Sequence, residues 1–414
     1  MDLLIKAPAI RGTTVHLPAS KSISNRVLLL NALSMSPQEI QHVADCDDTN
    51  VMTCALQAQQ SEIDIKAAGT AMRFLTAYFA GKQGHWTITG TERMKNRPVK
   101  TLVDALNALG AHIEYADKEG FPPLRITGRT LTGGEAGLDG GVSSQYISAL
   151  LMAAPLMTNG LRLHLSGRII SKPYLQMTIR LMNEFGVHVS EEGHTFSVQP
   201  QSYRPVPFTV ESDWSAASYW YEMVALSDDA EVTLTGLFAE SMQGDAQIAG
   251  LFDQLGVETV FTPTGVVIKR KKRSINESFA YDFTDMPDMA QTLAVTCAML
   301  DIPFVFSGLQ SLKIKETDRL AALRTELSKL CYLLTEQDGQ ILRWDGERTG
   351  CAASPVIHTY EDHRMAMAFA PVAIRYAGGI RIAKGEVVSK SYPHFWDDMQ
   401  KAGFQLSDLD KPVF

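Results

Sequence analysis

The side chains of this 414-residue chain that suit anion handling gather in a few short stretches. Residues 18–26 (PASKSISNR) put two cations, Lys21 and Arg26, and three hydroxyls, Ser20, Ser22 and Ser24, at the head of an apolar run. Residues 69–73 (GTAMR) repeat the arrangement: Gly69 allows close approach to the backbone and Thr70 can cap a helix. Ser143, Ser144 and Gln145 offer hydroxyl and amide donors without charge, which suits a hydroxylated ring or a phosphate. A helix starting at such a segment presents free backbone N–H groups and roughly half a positive charge. Lysine and arginine add charge-assisted hydrogen bonds to phosphate or carboxylate. Each stretch alone also reads as an ordinary cap with solvated charges; together they describe a binder of small, multiply anionic molecules.

Further cations lie in loops that follow short strands: Arg93, Lys95 and Arg97, then Lys172 with Tyr174, then Lys313, Lys315 and Arg319, then Lys390. One loop in the series, residues 237–245 (LFAESMQGD), is acidic instead. Candidate proton carriers accompany the cations. Asp288 follows Pro287 at a helix start, where it can cap or act as a base; Glu316 and Asp318 sit within residues 315–319 (KETDR); Glu361 and Asp362 precede His363 and Arg364. Lys315 and Arg319 share a face if that segment is helical. A carboxylate among several cations has a lowered pKa, so proton donation by Glu316 calls for compensating burial.

These residues recur because the chain repeats itself. Six long, mostly apolar helices with polar starts are expected from near Ser22, Thr70, Ser144, Trp214, Asp288 and Asp362. They are apolar around most of their circumference and should be buried. Alternating strands ending at or near glycine follow five of them, at 85–90, 162–167, 231–236, 303–308 and 379–385. Amphipathic helices come next, several with a Leu-Gly or Phe-Gly end at 109–110, 185–186 and 255–256. Each unit then reads as βαβαββ. The sixth runs out early, and the strand at residues 3–6 has no copy of its own, so the two chain ends are expected to meet there. Six units in two sets of three give an α/β protein of two similar lobes. The first is residues 20–211; the second is 1–19 with 212–414. Two crossings of this kind make a hinge that a ligand could close.

Composition sets the outer bounds. A net charge of -8 disfavours a nucleic-acid partner, although it leaves room for a local basic pocket among 38 Lys and Arg. The apolar run at 146–157 is too short to cross a bilayer, and residues 1–11 carry no signal-peptide pattern. The five cysteines, Cys46, Cys54, Cys297, Cys331 and Cys351, show no paired spacing and read as reduced thiols of a cytosolic protein. No HExxH or His/Cys cluster suggests a metal.

The chain resembles the 5-enolpyruvylshikimate-3-phosphate synthase (3-phosphoshikimate 1-carboxyvinyltransferase) family over essentially its whole length. The stretches that carry the resemblance are PASKSISNR, GTAMR, RMKNRP (93–98), SSQY (143–146), SKPY (171–174), PDMA (287–290), KETDRL (315–320), DHRMAM (362–367) and SKSYP (389–393). The resemblance implies two lobes of three βαβαββ units each, an inside-out α/β barrel without a cofactor. It implies a cytoplasmic monomer that joins phosphoenolpyruvate to the 5-hydroxyl of shikimate 3-phosphate and releases phosphate, through a tetrahedral intermediate. Position by position it assigns Lys21, Ser22, Arg26, Ser143, Ser144, Gln145, Ser171, Tyr174, Asp288, Ser311 and Lys315 to shikimate 3-phosphate. Lys21, Gly69, Arg97, Gln145, Arg319, Arg364 and Lys390 fall to phosphoenolpyruvate. Asp288 would accept the hydroxyl proton, Glu316 would donate to the methylene carbon, and Lys21 would share in either transfer.

The sequence departs from the family pattern at Ala67, where an Asn amide is usual, at Phe74, where Pro is common, and at Ser311, where Asn or Glu is frequent. These changes bear on affinity, and on glyphosate, which competes with phosphoenolpyruvate in this family. Gly69 points to sensitivity. A sister family uses UDP-N-acetylglucosamine and carries a reactive cysteine in its first lobe; no cysteine lies between Cys54 and Cys297. RNA 3′-phosphate cyclases share a related fold, but the acidic charge and the missing adenylation motif count against them. A catalytically inactive anion-binding homologue is the remaining alternative, and the intact Asp288 and Glu316 argue against it.

Overall fold

A computed structural model describes residues 1–7, 12–35, 37–271, 277–350 and 355–410. The chain divides into two compact units, one of Met1–Pro18 with Glu211–Phe414 and one of Ala19–Val210. Each is built on three core helices: α1 (Lys21–Leu33), α2 (Gly69–Gly81) and α3 (Ser144–Ala153) in the second, and α4 (Trp214–Leu226), α5 (Ala290–Met299) and α6 (His363–Phe369) in the first. Polar residues set the starts. Ser20, Ser143, Asp213 and Asp362 each accept a backbone N–H from the first turn of the helix they cap. Beyond the caps, apolar residues on every side bury the helices: all of α5 is buried, and in α4 Ser215 alone is not.

One complete repeat shows how the rest is placed. The strand Glu62–Asp64 leads into α2, then the strand Gly84–Thr89, the amphipathic helix Lys100–Ala108, and a hairpin of Ile113–Tyr115 with Leu124–Gly128. Gly110 ends the amphipathic helix at φ 99, a conformation a side chain resists. In the sheet, Gly84–Thr89 is central. It pairs parallel with Glu62–Asp64 (Ile63 opposite Ile88) and antiparallel with Leu124–Gly128. The same order recurs around α3, α4, α5 and α6. Around α6 the final hairpin strand is Leu3–Lys6, lying between Ile380–Ala383 and Gln405–Asp408. Around α4 the leading strand, Thr13–His16, pairs parallel with Glu231–Thr235, and the whole Ala19–Val210 unit is inserted between that strand and its helix.

The copy around α1 differs from the expected βαβαββ pattern. Its sheet has two strands, Phe208–Thr209 parallel to Ile40–Gln41, and no hairpin. The chain passes from the helix Asp47–Gln57 directly to the strand Glu62–Asp64, which leaves too few residues for two strands. Every sheet among the described residues is open; none closes on itself. A second correction concerns sulfur. Cys46, Cys54 and Cys297 are free, but Cys331 is disulfide-bonded, because pairing by proximity in a fold leaves no spacing mark in sequence. Cys351 lies outside the described residues. No helix among the described residues is long and apolar enough to cross a membrane, and they hold no metal-binding group of His, Cys, Asp or Glu.

Candidate active site

In the Ala19–Val210 unit the site residues sit at the starts of α1, α2 and α3 and in the loops beside them. Lys21, the first residue of α1, pairs with Asp48 at 3.0 Å. Arg26, one turn on, is 2% exposed and tied into the fold. It donates to Thr178 Oγ1 (2.7 Å) and to the carbonyls of Ser22 (3.0 Å) and Tyr174 (3.4 Å), with its guanidinium over the Phe74 ring. Burial pulls its pKa down to about 10. Arg26 thereby fixes Ser22 and Tyr174, two other predicted site residues, relative to each other. Phe74, which departs from the family pattern, supplies the ring.

Thr70 does not cap α2. Gly69 is already helical, Ala68 offers no side-chain cap, and Thr70 Oγ1 accepts from Gln145 Nε2 at 3.0 Å. That bond joins the starts of α2 and α3. Gly69 is closely covered: a Cβ built there would lie 2.5 Å from Arg97 Nη1 and 3.0 Å from Arg73 Nη1. Arg73 was visible in the motif, but its work was not. It donates to the carbonyls of Gly69 (2.9 Å) and Pro98 (3.3 Å), and Tyr146 Oη donates to the same Pro98 carbonyl at 2.6 Å. Arg73 and Tyr146 therefore pin the loop that carries Arg97. Ser143 caps α3, Ser144 begins it, and Ser171 holds a left-handed turn (φ 54) before the helix Lys172–Glu184.

In the other unit the charges are gathered onto one another. Arg319 is 1% exposed and binds three carboxylates: Asp362 (2.7 Å), Asp288 (2.7 Å) and Glu316 (3.0 Å). Lys390 reaches the other oxygen of Glu316 at 3.2 Å. Lys315 and Arg364 each approach Asp288 to 3.4 Å. Residues 315–319 are not one helical segment. Lys315 ends a 3-10 helix, Gln310–Ile314, that holds Ser311, and Asp318 caps the next helix by accepting from Ala321 N. Its capping bond fixes the helix start at Arg319, so Lys315 and Arg319 meet through Asp288 and not along a helical face.

These contacts settle the charge on Asp288. Burial works to raise its pKa, but Lys315, Arg364 and Arg319 together hold it well below the usual carboxylate range. Burial lowers the pKa of Lys315. Arg319 is held above its ordinary value: burial opposes its charge, and Asp362, Glu316 and Asp288 outweigh that. The unit thus contains ionised carboxylates bound to cations, the arrangement that a multiply anionic ligand can enter by exchanging partners. Ser215, the one unburied residue of α4, and buried Asp245 also join this network, and sequence reasoning assigned a role to neither.

Known proteins place the chain. The family model for EPSP synthase (3-phosphoshikimate 1-carboxyvinyltransferase) matches residues 6–63 and 54–399. The 3-phosphoshikimate 1-carboxyvinyltransferase of Bacteroides fragilis is 57% identical over 407 residues, covering 98% of this chain and 99% of that one. The enzyme of the same name from Photobacterium profundum is 35% identical and covers 96% of each chain. Two solved structures share the fold. EPSP synthase from Acinetobacter baumannii superposes with a TM-score of 0.77 at 21% identity, covering 98% of this chain and 99% of that one. The enolpyruvyl transferase NikO from Streptomyces tendae gives 0.75 at 15% identity, covering 98% of each. At 57% identity over nearly its full length, the chain belongs to the EPSP synthase (3-phosphoshikimate 1-carboxyvinyltransferase) family.

Proposed function

We propose that this chain carries out its family's reaction with the residues described above. The reaction transfers the enolpyruvyl group of phosphoenolpyruvate to the 5-hydroxyl of shikimate 3-phosphate and releases inorganic phosphate. It belongs to the shikimate pathway, which leads to chorismate and the aromatic amino acids. In the addition step the 5-hydroxyl oxygen bonds to C2 of phosphoenolpyruvate as its proton passes to Asp288, and C3 takes a proton from Glu316. In the elimination step C3 returns a proton and the C2–O bond to phosphate breaks.

The observation that carries this reading is the charge exchange available at Asp288. Lys315, Arg364 and Arg319 hold its carboxyl down. Arg319 and Arg364 are two of the cations assigned to phosphoenolpyruvate. An arriving anion that claims them removes charge from around Asp288 and raises its basicity when a hydroxyl must be deprotonated. The same cations then stabilise the anionic intermediate by preorganised electrostatics, together with Arg97, Lys21 and Lys390. In the Ala19–Val210 unit, Ser22, Ser143, Ser144, Gln145, Ser171 and Tyr174 supply neutral donors to shikimate 3-phosphate, with Arg26 and Lys21 as cations. Ser311 and Lys315 complete that set, and Gly69 with Gln145 borders phosphoenolpyruvate. The resemblance also supports a cytoplasmic monomer acting on two small molecules without a cofactor.

The test is phosphate release from the purified protein with both substrates, with each alone, and with a Glu316→Gln variant. Release should require both and should fall on the order of 10²–10⁴-fold in the variant, the range for a lost general acid. A variant that turns over like the parent removes Glu316 from the proton path.

A further inference from the structure

The acidic loop at residues 237–245 breaks a series in which the matching loops bring cations. It ends in a short 3-10 helix, Gly244–Gln247, that carries Asp245 at 4% exposure. Gln243 docks the loop on the start of α4 by accepting from Trp214 N (3.1 Å) and donating to the Ser212 carbonyl (2.8 Å). Asp245 Oδ2 thereby meets Ser215 Oγ at 2.5 Å. Ser215 Oγ in turn lies 3.4 Å from Arg364 Nη2, which also lies 3.4 Å from Asp288 Oδ2.

We propose that Asp245 is a positioning residue which, through Ser215, orients the Arg364 guanidinium toward the anionic group of phosphoenolpyruvate. This rests on the reading that Arg364 binds that substrate. Serine has one proton and two lone pairs. An ionised Asp245 takes the proton, so Ser215 turns only lone pairs toward Arg364 and accepts its N–H. A protonated Asp245 can donate to Ser215 instead, and the freed hydroxyl proton then competes with the guanidinium for the same space. The charge on Asp245 therefore sets the polarity of the relay. Burial raises its pKa, and Ser215 and Arg364 oppose that, with Asp288 and Asp213 as the neighbouring acids; the result is about 6. The relay also holds Arg364 when substrate draws it away from Asp288.

The experiment is steady-state kinetics from pH 5.5 to 9 on wild type, Asp245→Asn, Ser215→Ala and Arg364→Lys. Asp245→Asn should raise KM for phosphoenolpyruvate roughly tenfold at the alkaline end, the size of one lost hydrogen bond to a charged group. KM for shikimate 3-phosphate should stay within about twofold, a change too small to be one hydrogen bond. Ser215→Ala, at a half-buried position, should do the same, and the double variant should add little to either single one. Phosphoenolpyruvate's own phosphate titrates near pH 6, so the pH readout is the difference between curves. The wild-type KM should rise more steeply on acidification than that of Asp245→Asn. Equal rises in both KM values, or an unchanged KM for phosphoenolpyruvate in Asp245→Asn and Ser215→Ala while Arg364→Lys raises it, overturns the positioning role alone. An unchanged KM in Arg364→Lys overturns the reading beneath it, and the proposal with it.

Discussion

The two units share a repeat but partner their buried arginines differently. In Ala19–Val210 the buried cations Arg26 and Arg73 spend their hydrogen bonds on backbone carbonyls and hydroxyls. The ligand groups proposed for this unit are the neutral donors Ser22, Ser143, Ser144, Gln145, Ser171 and Tyr174 beside cations. In the other unit Arg319, Lys315, Arg364 and Lys390 spend theirs on carboxylates. The first arrangement is preformed, and a ligand adds to it. The second is held by internal ion pairs, and under the proposed reaction an anionic ligand exchanges with an internal acid. One repeated design thus supports two uses of a buried arginine, one tying backbone and hydroxyls together and one binding carboxylates.

The sharpest break of this contrast is Arg319→Ala. Asp362 is fully buried and takes two hydrogen bonds from Arg319. Removing the cation strands that carboxylate, at a cost of about 3–5 kcal/mol, so chemical denaturation should show a large loss of stability. Arg97→Ala in the Ala19–Val210 unit should show little, because Arg73 ties its loop into the fold. Equal losses would erase the distinction.

Gly69→Ala is next in size. The added methyl would displace Arg97 and Arg73. A displacement of about 1 Å at a positioning residue costs about 10²-fold, so kcat/KM for phosphoenolpyruvate should fall by that order, with weaker inhibition by glyphosate. Unchanged values for both would mean that Arg97 can move aside without consequence.

The smallest effect concerns pH and stability. Asp245 has its pKa raised to about 6. Its contribution to stability is therefore complete below the unfolded carboxylate value of about 4 and is lost as pH rises through about 6. The Tm difference between Asp245→Asn and wild type should move in the variant's favour over that window and stay level above it. A flat difference from pH 4 to 8 would mean that Asp245 titrates normally.

Much of this was legible in sequence because the signals are local. A polar cap followed by an all-round apolar run marks a buried helix, and the starts of α1, α2, α3 and α4 fall at or within one residue of where that pattern put them. What could not be read depends on partners far along the chain. Lys21 with Asp48, Arg319 with Asp362, and Asp245 with Ser215 are joined only by the fold. Spacing alone left open whether KETDR is helical, and the Asp318 cap starts the helix only at Arg319. Gly69 suggested room for a ligand, and the structure adds that Arg97 occupies the space a side chain would need.

The insertion between Thr13–His16 and α4 also orders events during synthesis. Leu3–Lys6 and Thr13–His16 leave the ribosome well before their strand partners, Ile380–Ala383, Gln405–Asp408 and Glu231–Thr235, which come hundreds of residues later. The inserted unit has every strand in hand once Thr209 emerges. The other unit waits for Gln405–Asp408, nearly the last described residues, to flank Leu3–Lys6 in its sheet. Thr13–His16 lacks its partner until Glu231–Thr235 emerges and Leu3–Lys6 until Ile380–Ala383 does, which leaves both open to wrong pairing and to chaperone capture in a nascent chain.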